Sequence, residues 1–341
     1  MPVTRYSPTL IVLLYHHLFP GHRLEGWQLA ATDYMTGFDV FRRDVEWLKQ
    51  DPRIRFITPD AFFECAPEPC PQIHVYITFD DGYYSTGAAL AYLAAEGIPA
   101  AVFVNSGLVG TGELAWPEKL LCFFHSLGTS EFTALLGDHC WSIGRNEPLG
   151  ARIETFVRLR EYLKTIATDE REAFLTELYR RYDFRLERVR EDLAFSSLRL
   201  LDWADIAWIA SVGFEVGGHT RTHVMLPACT ADRMRDEIVG DRRELETFLG
   251  RPPRLFAVPN GAPEDHNDEV IAVCRESAYE FMFSAFGGVN NLDGDQYVLN
   301  RCDVGNQMGD VRALIDQVAA EVVIEPKKRA GEQPSTSGRR S

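Results

Sequence analysis

The chain has 341 residues, 45% hydrophobic and 25% charged, a balance that supports a large buried core and excludes a wholly disordered or fibrous protein. Its 50 acidic against 35 basic side chains give a formal net charge of −15, the wrong sign for a protein whose main partner is a nucleic-acid backbone or an anionic membrane. No stretch of about 18 consecutive apolar residues is present, which argues against a membrane span.

The first apolar run, Leu10 to Tyr15 (LIVLLY), is too short for the core of an export signal and leads to no small-residue cleavage site. It reads as a buried strand, and the protein as cytoplasmic. Further runs at 54–58 (IRFIT), 74–79 (HVYITF) and 100–104 (AAVFV) alternate with helical stretches, the signature of βα units and a largely parallel sheet. Phe41, Val45 and Leu48 share one helical face, and Ser85 is placed to cap a helix that stops at Gly97. From about residue 112 to 197 the sequence becomes long, charged and helix-forming, which predicts a helical insertion. The βα rhythm then resumes with a helix from Trp203 to Val212, GFEVGGH at 213–219, a helix from Thr230 to Leu249, PRLFAVP at 253–259, a helix from about His266 to Ser277, and EFMFSA at 280–285. One α/β unit over 1–325 is therefore expected, followed by a disordered basic tail at 326–341, rich in Pro, Gly and Ser. The seven cysteines (65, 70, 122, 140, 229, 274, 302) are odd in number and scattered, and read as free thiols in a reducing compartment.

Two constellations carry chemistry. Thr78-Phe79-Asp80-Asp81-Gly82 follows a strand run directly, and reactive groups collect at the carboxyl ends of strands in α/β folds. Alone, Asp-Asp-Gly is merely a turn. Two adjacent aspartates repel, however, and a bound cation removes that objection by fixing one as a ligand and leaving the other free as a base. The second constellation, His219-Thr220-Arg221-Thr222-His223, also ends a strand run. Its histidines, four apart, converge on one ion if the segment is helical, and imidazole with carboxylate is a common catalytic zinc set. Arg221, between them, is expected to face solvent.

TFDDG at 78–82 and HTRTH at 219–223, in this order and each after a strand, resemble the two main motifs of the polysaccharide deacetylases, the NodB-homology group of carbohydrate esterases. Leu14-Tyr15-His16-His17, the run from Phe38 to Phe63, and Leu201-Asp202-Trp203 with Gly213-Phe214-Glu215-Val216-Gly217 are similar to the branch containing poly-N-acetylglucosamine deacetylases. The resemblance spans roughly residues 8–320 and is weakest over 112–197. It implies a deformed (β/α) barrel with a helical insertion, and hydrolysis of an N-acetyl group on a saccharide, with a water on a divalent metal, zinc by default, as nucleophile. Carried over by position, Asp81, His219 and His223 hold the metal and Asp80 is the general base.

Two departures stand out. Where the family has Arg-x-Pro-Tyr, this chain has Ala257-Val258-Pro259-Asn260, so the base-orienting arginine is missing, while the Asn260 backbone N–H remains as an oxyanion donor. Where the family has Leu-x-His, this chain has Leu299-Asn300-Arg301, so the general acid is unassigned. Its candidates are His16, His17, His266 or Asp80 returning its proton, and Arg301 is a candidate replacement for the missing arginine. Cys302 beside it reads as packing, as do Trp116, Trp141, Trp203 and Trp208, which a sugar platform would otherwise use. Two rival functions remain at this stage: hydrolysis of a C–N bond in a small cyclic amide or ureide, and non-catalytic carbohydrate binding on the same fold.

Overall fold

The computed structural model describes residues 8–19, 26, 35–65, 73–190, 198–304 and 311–321; Cys70 and the basic tail at 326–341 lie outside these. Seven strands form its centre: β1 (Thr9–Tyr15), β2 (Ile73–Phe79), β3 (Ala100–Val104), β4 (Glu215–Gly218), β5 (Leu255–Ala257), β6 (Phe281–Gly287) and β7 (Val298–Asp303). Each pairs in parallel with the next, and β7 pairs in parallel with β1. The ring is closed and runs in chain order. Two short strands lie against it, Ile54–Phe56 parallel to β2 and Val289–Asn291 antiparallel to β1.

Every residue of β1, β2 and β3 is buried, which is why these strands read as continuous apolar runs rather than as an alternation. The side chains nonetheless divide by parity, as a pleated strand requires. Leu10, Val12, Tyr76, Phe103, Leu255 and Phe283 belong to one cluster. Ile11, Leu13, Val75, Ile77, Val102 and Val216 belong to another, shared with the surrounding helices.

Helix α1 (Phe38–Gln50) buries Phe41, Val45 and Leu48, as its spacing predicts. Helix α2 (Gly87–Glu96) ends at Gly97 in the left-handed region, φ +66°. Its start differs from expectation: the residue before it is Thr86, and the Ser85 hydroxyl instead accepts the Leu18 N–H at 3.2 Å. Between β3 and β4 lie α3 (Trp116–Ser126), α4 (Leu149–Thr165), α5 (Thr168–Arg181) and a hairpin of Phe132–Leu136 with His139–Ile143. The hairpin is a finding beyond the helices expected there. Phe132, Ala134, Trp141 and Ile143 are its buried positions, and Gly137, φ +56°, opens the turn. These elements pack around their own cluster, with Phe123, Phe124, Phe156 and Leu159 fully buried.

Helix α6 (Trp203–Ser211) starts with a reciprocal cap between Asp202 and Asp205. The helix predicted from Thr230 to Leu249 is interrupted: Ala231–Arg235 is α-helical, Asp236–Gly240 is a π-helical turn, and α7 (Asp241–Leu249) completes it. Helices α8 (Asp268–Glu276), capped by Asn267, and α9 (Val311–Glu321) finish the layer. The six described cysteines are free.

Candidate active site

The carboxyl ends of β2 and β4 build the centre. Asp80 leaves β2 with its N–H on the Tyr15 carbonyl at 2.9 Å. Asp81 and Gly82 then take positive φ, +67° and +66°. At Gly82 a Cβ would approach Val104 Cγ1 to 2.9 Å, so the turn requires glycine for space as well as for conformation. Asp-Asp-Gly is thus a turn that carries both carboxylates.

His219 leaves β4 with its N–H on the Val104 carbonyl at 3.0 Å. The segment that follows is not helical, which corrects the condition attached to the two-histidine spacing. Thr220 and His223 take φ +65° and +57° and fold the loop back, and the Thr220 hydroxyl accepts the His223 N–H at 3.0 Å. Convergence comes from two left-handed residues rather than from a helical turn. Asn105 Nδ2 donates to the carbonyls of His219 and Thr220. Buried Glu237, in the π turn, accepts the Thr222 N–H and hydroxyl at 2.9 and 2.7 Å and pairs with Arg233 at 2.9 Å. Arg221, expected to face solvent, pairs with Asp236 and Glu244 at 2.8 Å each. The loop is therefore clamped to the helix behind it.

Asp81 Oδ1 lies 3.3 Å from His219 Nε2 and 3.1 Å from His223 Nε2, and one donor atom from each residue falls within 4.8 Å of the others. His219 Nδ1 sits 2.8 Å from the Ala257 carbonyl. A carbonyl only accepts, so Nδ1 carries the proton and Nε2 keeps a lone pair. Asp81 Oδ1 is buried without a hydrogen-bond partner, and a buried carboxylate oxygen between two imidazole nitrogens is the arrangement a divalent cation satisfies.

Asp80, 3% exposed, is gripped by Arg301 through two 2.7 Å bonds, one to each carboxylate oxygen. Arg301 is itself 1% exposed, donates its Nε–H to the Ser284 carbonyl, and lies over the rings of Phe103 and Phe283. Burial opposes ionisation of Asp80, but the charge of Arg301 and its two hydrogen bonds outweigh it and hold the carboxyl below its ordinary range.

A recess of about 130 Å³ joins these groups. It is lined by His16, Asp80, Asp81, His219, His223 and Asn260, and also by Glu118 of α3 and Arg160 and Lys164 of α4. A wider groove of about 1010 Å³ shares His16, Lys164, Asn260 and Ala285 with it. The structure thus gathers Asp80, Asp81, His219, His223, Asn260 and His16, with Arg301 attached through Asp80. Among the described residues, no group accepts the Asn260 N–H. Two other candidates fall elsewhere: His17 is buried with its ring 5.3 Å from that of Tyr83, and His266 lines a separate cavity beside Asn290 and Asn300. None of the four tryptophans lines the recess or the groove; Phe286, 54% exposed, lines the groove. Glu118, Arg160 and Lys164 escaped the sequence reading because they stand in no motif.

A closed parallel barrel with a carboxylate pair and two histidines at its strand ends defines an α/β-barrel hydrolase. The sequence matches the model of the polysaccharide deacetylase family over residues 68–141 and 163–282, and the chain belongs to that family, whose enzymes hydrolyse carbon–nitrogen bonds other than peptide bonds. Among solved structures it is similar to the Streptococcus pyogenes deacetylase PplD in complex with acetate, at 15% identity and TM-score 0.56, covering 91% of this chain and 98% of that one. It is also similar to IcaB from Ammonifex degensii, at 18% identity and TM-score 0.53, covering 92% and 97%, and to a de-N-acetylase from Aggregatibacter actinomycetemcomitans, at 14% identity and TM-score 0.52, covering 90% and 99%. No curated protein matches the chain.

Proposed function

We propose that this deacetylase is a divalent-metal-dependent amidohydrolase that removes the acetyl group from an N-acetylated saccharide and releases acetate. The observation that carries the reading is the convergence of Asp81, His219 and His223 within 4.8 Å, beside a second carboxylate, Asp80, held by Arg301 rather than by the cluster. Zinc suits the donor set of two imidazoles and one carboxylate. When bound, such an ion lowers the pKa of water and polarises the acetyl carbonyl.

The chain's own residues supply the rest. Asp80, ionised and fixed by Arg301, takes a proton from the attacking water. The Asn260 N–H donates to the oxygen that gains charge as the carbonyl carbon becomes tetrahedral. His16, on the boundary between recess and groove, contacts the sugar next to the reacting group. The recess takes the acetyl group and the groove takes the saccharide. Arg301 is a positioning residue, filling from β7 the place that Ala257 leaves open.

Purified protein incubated with oligomers of N-acetylglucosamine is expected to release acetate and to carry one divalent ion per chain. Asp80→Asn keeps the ion and loses turnover by about 10²–10⁴-fold, whereas Asp81→Ala and His219→Ala lose the ion. Absence of acetate release, or full metal content in the last two variants, sinks the reading.

A further inference from the structure

Expelling an amine from a tetrahedral adduct requires a proton on its nitrogen. Arg301 fixes Asp80 through both its oxygens as the group that receives the proton of the attacking water. Glu118, on α3 between β3 and β4, brings a further carboxyl to the same recess. It is 6% exposed, and its Oε1 accepts the Tyr83 hydroxyl at 2.9 Å. Tyr83 is 1% exposed and follows Asp80-Asp81-Gly82 directly, so the bond ties the position of this carboxyl to that of the base and the ligand. The two cations that line the recess, Arg160 and Lys164, both pair with Glu161, at 2.9 and 3.1 Å. Burial opposes ionisation of the Glu118 carboxyl, which favours the form that carries a proton.

We propose that Glu118 is the general acid of the deacetylation, an assignment that rests on the reading above. As the C–N bond breaks, its electron pair stays with nitrogen, and the Glu118 carboxyl gives that nitrogen its proton. Water has meanwhile given one proton to Asp80 and its oxygen to the acetyl carbon. Passage of the Asp80 proton back to Glu118 through solvent restores both groups, and the net change is amide plus water to amine plus acetic acid.

The role predicts dependence on the leaving group. Glu118→Gln is measured against an N-acetylglucosamine oligomer, whose amine must be protonated, and against 4-nitrophenyl acetate, whose phenolate leaves unaided. Expected is a fall of about 10²–10⁴-fold in kcat on the amide, with ester turnover within about twofold of the parent and metal content unchanged; the retained ester activity also reports the fold. Glu118→Asp, which keeps a carboxyl, recovers part of the amide activity. Equal losses on both substrates in Glu118→Gln, or equal amide losses in the Gln and Asp variants, overturns the assignment while leaving the deacetylase reading intact. A parent protein inert towards both acetyl donors removes that reading and this assignment together.

Discussion

Arg301 and Asp80 form a pair that neither residue can leave safely. With 1% and 3% exposure, each charge is tolerated only because the other neutralises it through two 2.7 Å bonds. Arg301→Met strands a carboxylate in the barrel, and a loss of about 3–5 kcal/mol in unfolding free energy is expected from denaturant titration. Arg301→Lys keeps the charge but not the planar fork, so it loses less stability, while kcat falls by about tenfold or more and metal content stays constant. An unfolding free energy unchanged in Arg301→Met contradicts the assignment. The sequence showed this pair as two departures, Ala257 for an arginine and Arg301 in the place of a histidine, and offered Arg301 as the candidate replacement. The closed ring supplies the geometry of that replacement, with β2 and β7 flanking β1 and Arg301 on Asp80.

At the scale of elements, the loop that presents His219 and His223 depends on the helix behind it. The π turn brings Glu237 under Thr222, and α7 starts with Asp241, fully buried beside β4. Asp241 Oδ1 accepts the Ser106 N–H at 3.1 Å, and a Cβ on Gly218 would meet Asp241 Oδ2 at 2.1 Å and the Tyr279 hydroxyl at 2.5 Å. Glycine is the residue that lets β4 pass here. Burial, against the Ser106 bonds and with the charges of Glu244 and Glu237, raises the Asp241 pKa from 3.8 to about 8. The folded chain therefore binds more protons at this site than the unfolded chain between those two values, and Asp241 makes stability fall as pH rises through that window. Asp241→Asn removes this contribution, so its melting temperature, measured from pH 4 to pH 8, should decline less steeply than that of the parent; parallel slopes contradict the account. The helix from 230 to 249 was readable from its cap and apolar spacing, but the π turn within it was not, because one extra residue in a turn leaves the surrounding periodicity nearly intact. The spacing of the histidines allows convergence on one ion if the segment is helical, whereas here Thr220 and His223 bend the chain by adopting positive φ.

Across the whole molecule, the barrel strands were legible because strands buried on both faces read as uninterrupted apolar runs, and the two motifs because each ends such a run. The wall that α3 and α4 add to the recess was not. Lys164 lies in a long charged stretch that looks like solvated helix and Glu118 at the start of a mostly apolar one, and only packing reveals that both charges face inward. The hairpin at 132–143 did carry a signal, with alternating burial about Gly137 and Asp138, hidden within a helix-rich segment. The assembled site joins the ends of β2 and β4, strands far apart in the chain and separated by β3 in the ring. An ion held by Asp81, His219 and His223 therefore links the Asp-Asp-Gly turn to the loop clamped by the π turn, and an ion that binds only the folded form stabilises it by mass action. At a zinc concentration 100-fold above the dissociation constant the gain is about 2.7 kcal/mol, which in a chain of this length raises the melting temperature by about 4 °C. The parent protein, stripped with chelator and then reloaded, should show that rise. His223→Ala should show little of it, while Asp80→Asn, whose carboxylate is held by Arg301 and not by the cluster, should show nearly all of it. A melting temperature indifferent to zinc in the parent, or equally responsive in His223→Ala, means that the three side chains do not hold an ion together.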